Sequence, residues 1–244
     1  MSKESRIVNM ILNCNTKKIT PKVLLPATDY VAKQICKHFK VKSYGKTWRG
    51  KYNNSLISVV KSMIGAPATA IIIEALKRAK VKYIIRVDYC GGLTEDIKIG
   101  DIILCPIAIC GDGTTPHYLH SEDDYPQIFA DTKLISLIRE DLNSTEIDFH
   151  EKIVFTHDAL FIEPPELIEK AKNNGASVID METSIIFVLG KLFNISTASI
   201  MVVTDNPGTR EILTKEITIN HRIFQNLDVI IDCALGVLSS IDDI

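Results

Sequence analysis

The segment GAPATAIIIEALKRAKVKYIIRVDYCGGLTEDIKIGDIIL, residues 65–104, carries the pattern that best indicates the fold class. Residues 67–80 place apolar side chains at helical spacing, and YIIRV at 83–87 is a short apolar run rich in β-branched residues. A glycine pair, Gly91 and Gly92, follows, and a second apolar run, DIILCPIAIC, occupies residues 101–110. A helix that leads into a buried strand and a glycine-containing turn is typical of α/β proteins.

The same alternation extends in both directions along the chain. Further strands are predicted at KVLLP, LISVV, KIVFT, ASVID and TASIMVV, and further helices at residues 29–39, 132–142, 165–173, 181–192 and 218–238. This order predicts a mixed, largely parallel central sheet flanked by helices. We expect a single α/β domain over residues 21–244, preceded by an N-terminal segment over residues 1–20.

The composition is that of a globular protein without a strong charge bias. Hydrophobic residues make up 46% of the 244 residues, and 28 basic against 30 acidic residues give a formal net charge of −2. This balance argues against a general nucleic-acid-binding protein and a polybasic membrane-surface protein. No run approaches the roughly 18–20 consecutive apolar residues of a membrane span. We therefore expect an intracellular, cytoplasmic protein.

Cysteine and histidine positions do not indicate a metal site. The six cysteines are widely spread and form no Cys-x-x-Cys pair, which predicts reduced and mostly buried thiols. His117 and His120 lie close together in TTPHYLH, but no acidic cluster with ligand spacing accompanies them. An exposed loop accounts for both histidines, and we predict no bound metal.

Arg86 is a candidate anion ligand, because ligands of open α/β sheets bind beyond the carboxyl ends of the strands. It stands near the end of the YIIRV run, just before the glycine pair, where a guanidinium could hold a carboxylate or a phosphate. A structural ion pair with Asp88, Glu74 or Asp101 explains it equally well.

Glu182 and Asp205 are candidate carboxylates at two other strand ends. Glu182 follows ASVID at the start of a predicted helix, where it could accept hydrogen bonds from the vicinal hydroxyls of a sugar or could simply add favourable charge to the helix N-terminus. Asp205 follows the apolar residues 200–203 and Thr204. A carboxyl group there could have a raised pKa and act as a general acid, or it could cap a turn.

Taken together and in order, these strand-end motifs resemble those of a known family. Besides the segment at 65–104, the matching motifs are KTWRGKYNNSLISVV, HDALF, VIDMETSIIFVLGKLF and IMVVTDN. They are similar to the hexameric nucleoside phosphorylases, which include purine nucleoside, uridine and methylthioadenosine phosphorylases. The resemblance implies the nucleoside phosphorylase fold, a small-molecule nucleoside as substrate, inorganic phosphate as co-substrate without any cofactor, and a dimer-based homohexamer.

The resemblance also implies roles for individual residues. Met181 and Glu182 would bind the ribose, Asp205 would be the catalytic residue that assists departure of a purine, and Arg86 would bind phosphate. The base would contact Leu160, Phe161, Cys90 and Gly91.

The phosphate motif departs from the family pattern. The family has Gly-Asp-Pro-x-Arg after the first strand, whereas this chain has Ala27, Thr28, Asp29, Tyr30 and Val31. Ser43 replaces a second arginine, Tyr89 replaces a small hydroxyl residue, and Asp88 replaces a glycine. Because each charge-assisted hydrogen bond contributes about 1.5–3 kcal/mol, we expect weakened phosphate binding.

Three functions follow as hypotheses. The first is phosphorolysis of a purine nucleoside or methylthioadenosine, giving the free base and ribose 1-phosphate. The second is a nucleoside-binding relative or subunit without catalysis, and the third is a nucleosidase that uses water. The EPPELIEKAKNN region has no Gln-x-Arg pair of the kind that reads uracil, but the loop DGTTPHYLHSEDDYPQIFAD resembles uridine enzymes, so the base remains open.

Overall fold

A computed structural model describes residues 2–121, 123–145, 147–211 and 220–242 of the chain. Within these residues seven α-helices surround one sheet of ten strands. The helices are α1 Lys3–Leu12, α2 Asp29–Ile35, α3 Ala66–Arg78, α4 Thr132–Ser144, α5 Pro165–Asn173, α6 Thr183–Phe193 and α7 His221–Ser240. The strands are β1 Lys22–Leu24, β2 Val41–Tyr44, β3 Thr47–Tyr52, β4 Ser55–Val60, β5 Tyr83–Gly92, β6 Ile102–Cys110, β7 Gln127–Phe129, β8 His150–Thr156, β9 Val178–Asp180 and β10 Ser196–Asp205.

The predicted single-domain α/β fold with a mixed sheet flanked by helices is confirmed. Parallel pairings join β1 to β4 and β5, β5 to β10, and β8 to β6 and β9. Antiparallel pairings join β3 to β2 and β4, β9 to β5, and β6 to β7 and β10. The sheet contains more antiparallel strand pairings than the alternation of strands and helices predicts. Two of them arise because short connections fold β2, β3 and β4 into a meander.

Five strands close the sheet on itself. β5 pairs with both β10 and β9, and β6 and β8 complete the circuit between them. Strand β10 is therefore covered on both faces, and Ile200, Met201, Val202 and Val203 are fully buried. The ring gathers the ends of β5, β9 and β10 in one place.

The helices pack their apolar faces on this sheet. In α6 eight of the eleven residues are buried, including Ile185, Ile186 and Phe187. Helix α7 is long and apolar enough to cross a membrane by length and composition alone, but half of it is buried and Ile230 and Leu235 lie in the hydrophobic core. It is accordingly a core helix. The predicted start of this helix, residue 218, lies outside the described residues.

The N-terminal segment contributes to the same core. Ser2 caps α1 by accepting a hydrogen bond from the Ser5 N–H, and the helix packs against α3. Val8 and Leu12 are fully buried in the main hydrophobic cluster. The division between a segment over residues 1–20 and a domain over residues 21–244 stays a prediction.

Candidate functional site

A cavity of about 520 Å³ lies at the ends of β5, β9 and β10. Most residues predicted from the sequence line it: Arg86, Cys90, Gly91, Leu160, Met181, Glu182 and Asp205. Phe161 is not part of the cavity lining, and its side chain is 90% exposed. The structure thus gathers residues that are up to 119 positions apart in the sequence (86 to 205) around one concave site.

The register of the ring explains this convergence. Gly91 of β5 pairs with Ile179 of β9 on one side and with Asp205 of β10 on the other. Met181 and Glu182 directly follow β9, so they enter the cavity beside the end of β5. The two candidate carboxylates therefore lie on opposite sides of the same strand end.

Arg86 is held by two buried carboxylates. Its Nη2 lies 2.5 Å from Glu182 Oε2 and its Nη1 lies 3.1 Å from Asp180 Oδ2, and the side chain is 2% exposed. Burial by itself lowers the pKa of Arg86, but Asp180, Glu182 and Asp88 outweigh burial and raise it, so the guanidinium stays charged. Arg86 Nε has no hydrogen-bond partner among the described residues.

The ion pairs that the sequence suggested for Arg86 are therefore replaced by others. Glu74 instead pairs with Arg78 on α3, and Asp101 pairs with Arg222 at 2.6 Å. Asp88 contributes charge near Arg86 but is bound to backbone N–H groups.

Glu182 does not cap the helix that it begins. Asp180 does so, since its Oδ2 accepts hydrogen bonds from Thr183 N–H at 2.9 Å and from the Thr183 hydroxyl at 2.5 Å. The Glu182 side chain instead accepts the Gly65 N–H at 2.7 Å through Oε1 and meets Arg86 through Oε2. Gly65 has a φ of +94°, a conformation suited to glycine. Burial raises the pKa of Glu182, although Arg86 opposes this shift.

Asp205 does not cap the turn that follows it. The neighbouring Asn206 anchors the turn, because its side chain donates to the Thr94 and Ile97 carbonyls and accepts from Thr209 N–H. Asp205 accepts a hydrogen bond from the Thr204 hydroxyl at 2.9 Å, and burial raises its pKa. A carboxyl group with a raised pKa at a cavity wall is suited to donating a proton.

Sequence reasoning missed several cavity residues. Glu163 is one of them, and burial together with the charge of Asp205 raises its pKa to about 7. Tyr30 and Phe224 form an edge-to-face aromatic pair at 6.1 Å between ring centroids, on two helices that are distant in the sequence. Phe224 lies in an amphipathic helix, so no local signal distinguishes it from a core residue.

The wall of the cavity is strongly acidic. Arg86 is the one lysine or arginine among its described lining residues, whereas five carboxyl side chains line it: Asp88, Glu163, Asp180, Glu182 and Asp205. Lys61, near the loop after β1, is paired with the exposed Asp29 at 2.6 Å. In the part of the chain that the structure describes, no group of three or more histidine, cysteine or acidic side chains could hold a metal ion.

Asp88 also lines the cavity, and its charge acts on Arg86. Its Oδ2 accepts a short hydrogen bond from the Ala27 N–H, in the loop after β1, and its Oδ1 accepts the Tyr89 N–H at 3.0 Å. The residue is 2% exposed. Burial raises the pKa of Asp88, while Arg86 and the two N–H groups counteract the shift.

The comparisons with known proteins agree with this architecture. Residues 21–226 match the family model described as the phosphorylase superfamily. The chain is 28% identical to the DeoD-type purine nucleoside phosphorylase of Buchnera aphidicola over 86% of this chain and 92% of the relative, and 28% identical to that of Bacillus cereus over 88% and 95%.

Solved structures share the fold. Uridine phosphorylase from Vibrio fischeri superposes with a TM-score of 0.83 at 22% identity, covering 92% of this chain and 94% of that one. Purine nucleoside phosphorylase from Toxoplasma gondii in complex with immucillin-H gives a TM-score of 0.83 at 21% identity, covering 93% and 94%. Nucleoside phosphorylases of this family use phosphate as co-substrate and need no cofactor. The match over most of its length shows that this chain belongs to the phosphorylase superfamily.

Proposed function

We propose that this protein cleaves the N-glycosidic bond of a purine nucleoside, with inorganic phosphate accepting the ribosyl group to give the free base and ribose 1-phosphate. The observation that carries the proposal is the pair of carboxyl groups, Glu182 and Asp205, on either side of Gly91 in one cavity. Neither is used to cap the turn or helix beside it. Two such groups can serve the two ends of a glycosidic bond.

Glu182 and Met181 would bind the ribose. The Glu182 carboxylate is fixed by Arg86 and by the Gly65 N–H, which restricts its orientation while lone pairs remain available for sugar hydroxyls. A carboxylate beside the sugar also stabilises the positive charge of an oxocarbenium-like transition state. The position of this carboxyl group beside the sugar supports bond cleavage.

Asp205 would assist departure of the base. Burial raises the pKa of Asp205, which favours its action as a general acid that donates a proton to the purine as the bond breaks. Leu160, Cys90 and Gly91 line the same cavity, and Tyr30 and Phe224 add an aromatic pair that the sequence did not indicate. The purine assignment is supported by the DeoD-type relatives.

Arg86 would contact phosphate. Its Nε is the donor without a partner among the described residues, and the guanidinium lies directly beside Glu182. This position supports an acceptor oxyanion next to the ribose. The attacking phosphate oxygen would form the bond to the sugar as the bond to the base breaks.

A substrate panel tests the proposal. Inosine, adenosine, methylthioadenosine and uridine are incubated with the protein, with and without phosphate, and free base is measured. We expect purine release that requires phosphate. Release without phosphate would instead identify a nucleosidase, and binding of nucleosides without release in either condition would identify a binding protein.

The binding-protein alternative is favoured by one observation. Arg86 is already paired with two carboxylates, so phosphate must compete for a guanidinium that is largely neutralised. The nucleosidase alternative has less support. Its candidate for activating water is Asp29, at the start of α2, and this residue is exposed and paired with Lys61.

Family membership supports two further proposals. The chain would assemble into a dimer-based homohexamer in the cytoplasm, with no nucleic-acid or membrane partner. Light scattering of the purified protein would give its mass in solution, and a monomer at all concentrations would contradict the assembly.

A further inference from the structure

The backbone beside Arg86 forms a set of anion-binding donors, which we call the acceptor cradle: the N–H groups of Ala27 and Tyr89 and the guanidinium of Arg86. Ala27 belongs to the loop after β1, and the other two residues belong to β5. All three line the cavity. Backbone N–H groups grouped around a cation are typical donors to oxyanions such as phosphate.

The cradle already contains an anion, and it is part of the chain. One oxygen of the Asp88 carboxylate accepts the Ala27 N–H and the other accepts the Tyr89 N–H. The carboxylate is almost completely buried and its charge acts on Arg86. A carboxylate withdrawn from water in this way requires hydrogen-bond donors, and the cradle supplies them.

We propose that Asp88 is a tethered anion that occupies the phosphate half of the cavity, so that inorganic phosphate binds only when the Asp88 side chain leaves the acceptor cradle. The inference rests on the proposed function, since it concerns the co-substrate of the same site. Asp88 is accordingly a specificity-determining residue for the acceptor.

Two features of the site support competition rather than coexistence. A phosphate dianion beside the Asp88 carboxylate would place like charges together in a poorly solvated wall that already holds Asp180 and Glu182. In addition, Arg86 retains a buried Nε without a hydrogen-bond partner among the described residues, so a donor remains for an oxyanion that enters in place of Asp88.

Substitution of Asp88 should therefore increase phosphate affinity. Asp88→Gly empties the cradle, and Asp88→Asn removes the charge while keeping most of the volume. We expect the dissociation constant for phosphate to fall at least about tenfold in Asp88→Gly, with a smaller decrease in Asp88→Asn, since one charge-assisted hydrogen bond corresponds to about this factor.

Asp112 offers a matched control. It is also buried, and its Oδ1 accepts two backbone N–H groups, from Thr114 at 2.9 Å and from Thr115 at 2.7 Å, but it does not line the cavity. Asp112→Asn removes a buried carboxylate whose Oδ2 accepts the Ser184 hydroxyl at 2.6 Å, outside the cavity lining. Phosphate affinity should stay at the parent value in this variant.

The experiment is a calorimetric titration of inorganic phosphate into the parent protein and the three variants at constant ionic strength. Thermal unfolding is followed on the same samples, and phosphate should raise the Tm of Asp88→Gly more than that of the parent, because the ligand replaces the lost carboxylate. A purely structural role for Asp88 would lower the Tm without making it depend on phosphate.

Equal phosphate affinity in the parent and Asp88→Gly would overturn the inference, as would an equal gain in Asp112→Asn. If Asp88→Gly does not fold, the inference is tested with Asp88→Asn instead. A phosphate affinity of Asp88→Asn no higher than that of the parent then overturns it. Nucleoside binding and base release are measured separately on the parent. Their absence refutes the proposed function, whereas an unchanged phosphate affinity refutes the role of Asp88.

Discussion

The two halves of the cavity use carboxylates in opposite ways. In the half that we propose binds the nucleoside, Glu182 and Asp205 line the cavity while their neighbours Asp180 and Asn206 anchor the local backbone. In the half that we propose binds the acceptor, Asp88 itself accepts the hydrogen bonds of the backbone donors. The Glu182 and Asp205 side chains can line the cavity because neighbouring side chains make the local structural hydrogen bonds.

The largest effect is expected from Arg86→Ala, which breaks the link between the two halves. The substitution leaves Asp180, Glu182 and Asp88 close together without a compensating cation, and loss of one partner of a buried ion pair costs about 3–5 kcal/mol. We expect the free energy of unfolding, measured by urea denaturation, to fall by that amount.

Arg139→Ala is the control for this experiment. Arg139 pairs with Glu151 at 2.5 Å and 2.9 Å, but both side chains are partly exposed. Exposed pairs contribute about 0–1 kcal/mol. Equal losses of unfolding free energy in the two variants would contradict the conclusion that Arg86 stabilises the buried carboxylates around it.

Glu182→Gln tests the proposed ribose role of Glu182. The amide keeps the shape but loses the charge that orients sugar hydroxyls, so phosphate-dependent base release should fall by about 10- to 100-fold. Steady-state assays of base release measure this change. Glu151→Gln, in an arginine pair outside the cavity, should retain the parental rate, and a matching loss there would count against a ribose role for Glu182.

The pH dependence of stability gives a smaller effect. Glu163 has a pKa of about 7 in the folded protein, above its ordinary value of 4.5, because it is partly buried near Asp205. The folded state therefore holds a proton that the unfolded state releases between about pH 4.5 and 7, and stability falls as the pH rises through this range.

Glu163→Gln should flatten this slope. Solvent screening of a half-buried group limits the gain at neutral pH to about 1 kcal/mol or less. Urea denaturation of parent and variant across this pH range measures it, and an unchanged slope would show that Glu163 keeps an ordinary pKa.

Asp29→Asn should have the smallest effect. Asp29 begins α2, directly after the loop that contains the cradle residue Ala27, but it is exposed and its carboxylate pairs with Lys61. Its carboxylate does not line the cavity. Phosphate affinity by calorimetry should match that of the parent, and a gain as large as that of Asp88→Gly would attribute the acceptor effect to general charge rather than to the cradle.

Local patterns were sufficient for most of the fold. The apolar run of β10 and the helical spacing of α3 are visible in the sequence because burial imposes a period on the side chains. Helix α2 ends at Ile35, earlier than the predicted residue 39, and the β2–β3 hairpin was not predicted. Both lie where the sequence is polar and its periodicity is weak.

The candidate site also contains residues that the sequence indicated and residues that it did not. Glu182 and Asp205 stand directly at strand ends, so their positions made them candidates, and the family resemblance suggested their roles. Glu163 and Phe224 had no such signal, because one lies in a proline-containing loop and the other in an ordinary amphipathic helix. Their place at the cavity depends on how α7 and the loop before α5 pack against the ring.

The sequence by itself determined the α/β alternation and the positions where polar side chains follow apolar strands, since both are properties of consecutive residues. The tertiary structure alone decided which groups meet. The ring of β5, β10, β6, β8 and β9 brings Glu182 to Arg86 across 96 positions, and the β1–β5 pairing brings the Ala27 N–H to Asp88 across 61 positions. Contacts at such separations depend on strand register, which no local pattern of hydrophobicity encodes.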